Sequence, residues 1–458
     1  MSQTYSVEQL VDEQKFSWFN IKLLFWSFLA MFGDGYDITV MGFAAPVLVR
    51  EWGVNPQMLG PVLSASLVGI LVGAPLLGYF GDRYGRRPAI ILGCIIYGTC
   101  TLLCVWAENL TQIGILRFLT GIGIGGLMPN AIALNSELSP KRLRATLVIL
   151  MFTGITMGNA VPGAVSAWLV PTYGWESLFL LGGVAPLFIA ACLFFTLPES
   201  VKYLALRPEK RAELLATLRR MRPGLTVPED ARFELAAIPP GKSGSTRQLF
   251  AGGLGFITPL LWICFSMALM TIFFLNSWMP LLFERGGATP GDAALASSFY
   301  HIGAMIGGFF ISILLDRFGF LVVAALFALG AIVVASMGIP HLPFTGVIVL
   351  LTAAGFFSAG AQFGNNAAAG LIYPTSFRSK GVGWAFAIGR FGSIAGPMVG
   401  SVLIGMNLPT NQLFMAPAIP LTVGTIASII LARLCYRRFG SFQLDDKAAV
   451  TGASPIKP

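Results

Sequence analysis

Apolar stretches long enough to cross a lipid bilayer recur along nearly the whole chain and limit what it can fold into. A membrane-crossing helix needs about 20 mostly apolar residues. We find twelve such stretches, called spans 1 to 12, at residues 21–48, 58–80, 88–106, 110–135, 143–170, 175–197, 255–283, 292–315, 319–339, 344–371, 380–406 and 413–435. Only 11% of the residues are charged, whereas a soluble domain carries about 25%. The sequence therefore predicts an all-α membrane protein with twelve transmembrane helices.

Lys and Arg lie almost entirely on one side of this arrangement. With the N-terminus placed in the cytoplasm, all but four of the 30 basic residues fall in the tails, in the even-numbered loops or at the adjoining cytoplasmic ends of the spans. Arg50 and Arg285 face outward, and Arg117 and Arg390 lie inside spans. Because cytoplasmic loops retain positive charge, we expect both termini to be cytoplasmic. The net charge of +9 then reflects topology and attraction to anionic lipid head groups, so no nucleic-acid partner is needed.

Several classes of protein are disfavoured by what the chain lacks. All six Cys fall in predicted spans and there are only two His, which gives no disulfide framework and no metal-ligand pattern. We find no nucleophile–base–acid constellation and no phosphate-binding loop, and the polar N-terminus is unlike a cleavable signal peptide. We therefore expect neither an enzyme nor an ATP-driven pump, no cofactor, and a monomer in the bacterial inner membrane.

The chain repeats itself at a spacing of 234 residues. Five identities carry the repeat: Asp82, Arg83, Gly85, Pro140 and Arg144 correspond to Asp316, Arg317, Gly319, Pro374 and Arg378. Because both copies lie on the same predicted side of the membrane, the repeat predicts two six-helix bundles related by a pseudo-two-fold axis along the membrane normal. The predicted divisions are a tail at 1–20, a bundle at 21–197, a cytoplasmic linker at 198–254, a bundle at 255–435 and a tail at 436–458.

Short motifs make the chain resemble the major facilitator superfamily. The loop after span 2 reads Gly78-x-x-x-Asp82-Arg83-x-Gly85-Arg86-Arg87, and Pro198-Glu199-Ser200 follows span 6. In span 1, Asp34-Gly35-Tyr36-Asp37 resembles the D-G-x-D element of the aromatic acid:proton symporters, and Arg117-x-x-x-Gly121-x-x-x-Gly125 resembles the span 4 motif of proton-driven importers. The chain departs from the pattern at Val201, where Pro is frequent, and the second-half loop lacks the Arg pair. The resemblance implies the twelve-helix fold, proton symport, and a coupling role for Arg117.

The two acids of span 1 are the strongest functional candidates. Asp34 and Asp37 are three residues apart and so share a helix face, near the middle of the span. Desolvation and mutual repulsion both raise the proton affinity of such a carboxylate, which makes one of the pair a candidate proton carrier. The alternative is structural: one Asp caps a kink at Gly33 or Gly35 and pairs with an Arg. For Arg117, nearer the outer end of span 4, the alternative is snorkelling to the outer interface.

Two further residues are candidates for substrate binding. Arg390, about ten residues into span 11, could hold a carboxylate because its planar guanidinium forms paired hydrogen bonds with one. Its alternative is a permanent ion pair with Asp34 or Asp37. His301 in span 8 could hydrogen-bond a carboxylate or a ring hydroxyl, or be an ordinary core histidine.

Polar side chains in two other spans complete the candidate substrate site. Gln362 and Asn365 lie in span 10, and Asn276 lies beside Trp278 in span 7. Uncharged donors and acceptors can orient a small polar ligand, and the aromatic residue can stack on a ring. Hydrogen bonding between helices is an equally common use of such amides.

Charged residues of the cytoplasmic loops are candidates for gating. They are Asp82, Arg83, Arg86, Arg87, Glu137, Arg144, Asp316, Arg317 and Arg378. Ion pairs among them could hold the inner sides of the two bundles together and break when the bundles rock. The alternative is that they only fix the topology.

These features predict a proton-coupled secondary importer that works by alternating access. The resemblance implies aromatic carboxylates such as hydroxybenzoates as substrates, carried with protons. Three alternatives stay open: a symporter of another carboxylated metabolite, a drug:proton antiporter, and a membrane receptor that binds an acid without moving it.

Overall fold

The chain folds into long helices at each of the predicted places. A computed structural model describes residues 4–225, 231–235, 246–251, 253–318, 320–339, 343–374 and 377–439. In this part of the chain the twelve long helices are α1 (Trp18–Trp52), α2 (Leu59–Tyr84), α3 (Arg86–Leu103), α4 (Leu110–Leu138), α5 (Lys141–Tyr173), α6 (Glu176–Thr196), α7 (Ile257–Arg285), α8 (Pro290–Phe318), α9 (Leu321–Ser336), α10 (Phe344–Ile372), α11 (Arg378–Gly405) and α12 (Ala418–Phe439).

Ten of these helices are long and apolar enough to cross a membrane. The other two are α9, a shorter apolar helix of 16 residues, and α1, which has 35 residues and carries Asp34 and Asp37 among its apolar side chains. The predicted all-α, twelve-helix class is confirmed. In α1, α4 and α9 the apolar residues show little preference for one helix face, as expected when every face meets protein or lipid.

Glycines allow some of the helices to pack backbone against backbone. A Cβ on Gly35 of α1 would lie 2.1 Å from the backbone oxygen of Ile155 in α5, and a Cβ on Gly73 of α2 would lie 2.2 Å from the backbone oxygen of Ile122 in α4. Such contacts leave no space for any larger residue. Close approach at small residues is the usual way membrane helices associate, because lipid gives no hydrophobic drive for it.

The helices form two compact units. Unit 1 comprises Met1–Ile38, Val68–Asn159 and Glu176–Pro239, and unit 2 comprises Thr39–Leu67, Ala160–Trp175 and Pro240–Pro458. One end of each of α1, α2 and α5 therefore belongs to unit 2 and the rest of each helix to unit 1. The division into bundles at 21–197 and 255–435 stays a prediction.

The start of the chain is built into unit 1. Strand β1 (Thr4–Ser6) pairs in parallel with β2 (Arg232–Glu234) of the linker, with Tyr5 opposite Phe233. A short helix, Val7–Asp12, follows, and it buries its apolar face. The linker also contains a helix, Arg211–Met221, which buries Leu214, Leu218 and Met221.

Polar contacts fasten this segment to the ends of α4 and α5. Asp12 accepts a hydrogen bond of 2.9 Å from the backbone N–H of Lys141. Asp12 also forms an ion pair of 2.9 Å with the ammonium group of Lys141. Buried Gln14 donates to the backbone oxygen of Leu138 at 2.9 Å. Although burial alone raises the pKa of Asp12, its bonds to Lys141 hold that pKa below the ordinary value.

Candidate functional site

A buried ion pair joins α1 to α4 inside unit 1. Arg117 Nη1 lies 2.6 Å from Asp37 Oδ1, and each side chain is only 1% exposed. Arg117 Nη2 also donates to the backbone oxygen of Asp37 at 2.8 Å. The guanidinium therefore donates both to the side chain and to the backbone of Asp37. This burial argues against the alternative in which Arg117 snorkels to an interface.

A hydroxyl from α3 completes one side of this carboxylate. Thr101 donates to Asp37 Oδ1 at 3.0 Å, and its oxygen lies 3.3 Å from the hydroxyl of Thr120 on α4. Both threonines are fully buried. The other oxygen, Asp37 Oδ2, is buried and has no hydrogen-bond partner among the described residues. One carboxylate oxygen is thus held by two donors, and the second is available to take a proton.

The rest of the Asp34-Gly35-Tyr36-Asp37 element packs tightly around this pair. Asp34 is buried one turn before Asp37, and Tyr36 donates to the backbone oxygen of Leu178 in α6 at 3.0 Å. Helix α1 continues through Gly33 and Gly35 without a break, so the acids do not cap an interrupted helix. Only glycine fits at position 35, beside the α5 backbone. The element therefore presents two carboxylates from a rigid, continuous helix.

The candidate substrate residues lie in unit 2, on helices α7, α8, α10 and α11. Arg390 is half-buried on α11. His301 is buried on α8, and its ring meets the edge of Tyr300 with centroids 5.3 Å apart. Trp278 is fully buried on α7 and donates its indole N–H to the backbone oxygen of Pro397 at 3.0 Å. The only polar atom of Trp278 is thus committed to the packing of α7 against α11.

Buried amides of unit 2 carry polar atoms that no described residue satisfies. Gln362 donates to Asn366 at 3.0 Å, but within the described part of the chain its oxygen has no partner, and neither does the amide oxygen of Asn276. Asn365 is fully buried, and neither of its amide atoms has a partner among the residues that the structure describes. Such atoms are rare in proteins.

Ser393 of α11 belongs to the same group and was missed at the level of sequence. Its hydroxyl is buried and also lacks a partner among the described residues. It follows Arg390 by three residues and so shares a helix face with it, which is a signal that the sequence did contain. Helices α7, α10 and α11 pack against one another.

The loop between α2 and α3 is anchored by a buried carboxylate. Gly85 has φ +115°, a conformation that favours glycine, and α3 begins immediately after it. Glu199 Oε1 accepts backbone hydrogen bonds from Arg86 at 2.9 Å, Arg87 at 3.3 Å and Ser200 at 2.8 Å. Burial raises the pKa of Glu199 in spite of these bonds. The sequence marked Glu199 only as part of a motif, so its role as the cap of α3 was missed.

Charged residues of the same loop pair within unit 1. Arg86 lies 2.5 Å from Asp82 and 3.9 Å from Glu137, and the hydroxyl of Ser200 donates to Glu137. Arg83 donates to Tyr79 at 3.2 Å. The predicted gating residues of the first half therefore include a connected network at the ends of α2, α3, α4 and α6.

Of the remaining predicted gating residues, some contact nearby backbone oxygens and others have side chains outside the described residues. Arg87 donates to the backbone oxygen of Phe194, and Arg378 donates to that of Tyr373 at 3.3 Å. Arg144 is half-buried. The side chains of Asp316 and Arg317 lie outside the described residues. A gating role for all of these residues stays a prediction.

Comparison with known proteins places this geometry in a family. The sequence model of the Major Facilitator Superfamily matches residues 27–345 and 261–446. The chain belongs to the major facilitator superfamily. The expected resemblance to aromatic acid transporters within the superfamily is also confirmed. The chain is 35% identical over 422 residues to a gallate transporter of Pseudomonas putida, covering 92% of this chain and 94% of the relative. It is 36% identical over 437 residues to the 4-hydroxybenzoate transporter PcaK of Acinetobacter baylyi, covering 92% and 93%.

Solved structures of the major facilitator superfamily share the fold. A D-xylose-proton symporter matches with a TM-score of 0.69 and 18% identity, covering 90% of this chain and 97% of that structure. A bacterial homologue of the human lysosomal transporter Spinster matches with a TM-score of 0.71 and 15% identity, covering 92% and 98%. This protein therefore has the fold of membrane transporters and not of an enzyme.

Proposed function

We propose that this superfamily member is a proton-coupled importer of aromatic carboxylates such as hydroxybenzoates. The observation that carries the proposal is the Asp37–Arg117 pair, in which a carboxylate deep in the protein keeps one oxygen without a hydrogen-bond partner among the described residues. Ionisable residues inside a membrane bundle cost free energy, and they usually have a functional role. The curated relatives that are named as gallate and 4-hydroxybenzoate transporters support the substrate class.

In the proposed cycle a proton enters at Asp37. Protonation of Oδ2 neutralises the carboxylate and weakens the charge-assisted hydrogen bond from Arg117, because bonds between ionised partners are about twice as strong as neutral ones. Arg117 can then adopt a second position. The ion pair thus couples the protonation state of α1 to the position of α4. Asp34, buried one turn away, is the alternative carrier.

The substrate anion is proposed to bind Arg390. The guanidinium stays charged and can hold a carboxylate by two parallel hydrogen bonds. His301 and the unsatisfied amides of Asn276, Gln362 and Asn365 supply donors and acceptors for ring substituents. Because these residues belong to unit 2 and Asp37 belongs to unit 1, substrate and proton are proposed to bind on different parts of the chain.

The proposed setting is the bacterial inner membrane, with a monomer whose termini are both cytoplasmic. This orientation follows from the distribution of Lys and Arg. The network of Asp82, Arg86 and Glu137 then lies on the cytoplasmic side, where it links the ends of α2, α3 and α4. In the second half, Asp316 and Arg317 are the repeat-related counterparts of Asp82 and Arg83, and they are proposed to act on the same side of the membrane.

The decisive experiment is uptake of labelled 4-hydroxybenzoate into proteoliposomes with an acidic exterior. Wild type is expected to accumulate the acid above equilibrium. Asp37→Asn should lose accumulation and retain exchange, because it binds substrate without coupling to protons. Arg390→Ala should lose both, and Arg390→Lys should recover only part of the binding. Glu108→Gln, a change at an exposed acid, is the control. Unchanged accumulation in both Asp37→Asn and Arg390→Ala would refute the assignment.

Competition experiments separate the alternative substrates. Excess benzoate and 4-hydroxybenzoate are expected to inhibit uptake, and aliphatic dicarboxylates are not. The reverse order would assign the protein to another class of carboxylate symporter. Binding of the acid without flux would indicate a receptor.

A further inference from the structure

Asp37 Oδ1 receives two donors from different helices, and only one of them is charged. Arg117 comes from α4, and Thr101 comes from α3. Since the single proton of the Thr101 hydroxyl is used for Asp37, its oxygen is left to accept from Thr120, 3.3 Å away. Thr120 follows Arg117 by three residues, so both project from the same face of α4. The chain of donors therefore runs from Thr120 through Thr101 to the carboxylate.

A donor to a carboxylate favours its ionised form. In a buried setting such chains also polarise one another, which strengthens each bond. Both donors act on Oδ1, whereas Oδ2 has no partner among the described residues. Oδ2 is therefore the oxygen that can take a proton without first breaking the hydrogen bond from Thr101 or from Arg117.

We propose that Thr101 is a positioning residue that sets the proton affinity of Asp37 and directs the proton to Oδ2. This inference rests on the proposed function, since it assumes that Asp37 carries the coupled proton. Thr101 holds Oδ1 in place without adding charge, so the carboxylate can be protonated while its orientation is kept. The titratable groups that also face Asp37 are Asp34 and Tyr36 on α1, Tyr97 and Cys104 at α3, and Arg117 on α4.

The test is the pH profile of proton-driven uptake in proteoliposomes. Thr101→Val keeps the shape and removes the donor, so Asp37 should hold its proton to higher pH. Because a hydrogen bond to a charged group favours the charged form, the midpoint should move up by about 1–2 pH units. Thr101→Ser should restore the wild-type profile, and Thr120→Val should give a smaller shift in the same direction.

The outcomes separate this inference from the proposed function. If wild type shows no proton-driven uptake, the proposed function fails. If wild type does and Thr101→Val keeps the wild-type midpoint, the role of Thr101 is overturned. Thr101→Ala makes the same test if the valine variant does not fold, and a merely structural role predicts lower activity with an unmoved midpoint.

A second, independent observation concerns the other end of α1. Arg50 Nη1 is paired with Glu284 Oε2 of α7, and both residues belong to unit 2. They are 234 residues apart, which is the spacing of the internal repeat. The pair therefore joins equivalent positions of the two repeats. The next residues are Glu51 and Arg285, so the charged dipeptide is reversed between the copies.

Equivalent positions meet where a two-fold axis passes, and identical charges there would repel. The reversed order turns this repulsion into attraction. Neighbouring contacts of the same ends reinforce it: Ser64 of α2 donates to the backbone oxygen of Ile394 in α11 at 3.0 Å. Ser401 of α11 also donates to the backbone of Gln57, just before α2.

We infer that Arg50 and Glu284 form a clasp that holds the outer ends of the two halves together and opens during each transport cycle. The positive-inside assignment puts these ends outside. The clasp is exposed on the Arg50 side, where 47% of the side chain is accessible. A partly exposed ion pair contributes little net stability. Such a weak contact can open in every cycle.

Charge reversal tests the clasp. In a Ser64→Cys background, labelling by a membrane-impermeant maleimide should rise several-fold with Arg50→Glu or Glu284→Arg. It should return to the parent rate in the double swap, and Glu51→Gln is the control. The inference would be overturned if both single variants were labelled at the parent rate, or if the double swap failed to return labelling to that rate. Labelling only from the cytoplasmic side would also overturn it. The protein without Ser64→Cys measures the background from native cysteines.

Discussion

Helix α1 forms two ion pairs that share their chemistry and differ in their surroundings. Asp37 and Arg117 are each 1% exposed, whereas Arg50 and Glu284 expose 47% and 16% of their side chains. Burial makes a lone charge costly, so each member of the inner pair depends on the other. Water can solvate either member of the outer pair when it separates. The inner pair is therefore suited to respond to a change in the protonation of Asp37. The outer pair is suited to separate and form again.

Breaking the buried pair should have the largest effect on stability. Arg117→Ala leaves Asp37 as an uncompensated buried charge, and we expect a loss of about 3–5 kcal/mol in the free energy of unfolding. Removing both charges with Asp37→Asn and Arg117→Gln should cost less than Arg117→Ala alone. Thermal unfolding of the purified variants in detergent measures both. Equal stability of Arg117→Ala and wild type would remove the distinction between the two pairs.

Glu199 lies between these extremes, because its buried carboxylate is satisfied mainly by backbone N–H groups at the start of α3. Glu199→Ala removes this cap, and we expect a loss of about 1–2 kcal/mol. Glu199→Gln keeps an acceptor and loses the charge, so its stability at neutral pH should equal or exceed that of wild type.

The pH dependence of stability tests the burial of the Glu199 carboxylate. Burial raises the pKa of Glu199 above its ordinary 4.5, so the folded protein binds this proton more tightly than the unfolded chain does. The contribution of Glu199 to stability therefore increases as pH falls through the raised value towards 4.5, and it is lost as pH rises. Unfolding curves between pH 4 and 7 should show this rise in wild type relative to Glu199→Gln. A Glu199→Gln curve parallel to that of wild type would contradict it.

The smallest effect is expected at the exposed pair. Glu284→Gln should change the free energy of unfolding by less than about 1 kcal/mol, and added salt should erase the difference. Arg117→Ala should keep most of its destabilisation at the same salt concentration. A large, salt-resistant loss for Glu284→Gln would show that the outer pair is structural, as the inner pair is.

The sequence predicted the helices well because about 20 apolar residues are a strong signal for a membrane span. It also selected Asp37 and Arg117 as members of the site, since charged residues stand out in apolar spans. It did not predict that they pair with each other, because the relative height of two helices depends on packing at glycines such as Gly35 and Gly73. The buried acid and its partner were thus found separately.

The features that were missed have weak signals in a sequence. Thr101 is an ordinary residue of an apolar helix until its hydroxyl is seen beside Asp37. The backbone cap by Glu199 needs two segments more than a hundred residues apart. The pairing of β1 with β2 involves only three residues on each strand, which is too short for any periodic pattern to be recognised.

The small parallel sheet also affects how the chain is made. Its first strand is made before α1, but its partner, Arg232–Glu234, follows only after α1 to α6 have been made. Strand β1 must therefore remain without this partner until the six helices between the two strands have been made. A bulky insertion next to Thr4 would interfere with the pairing that follows.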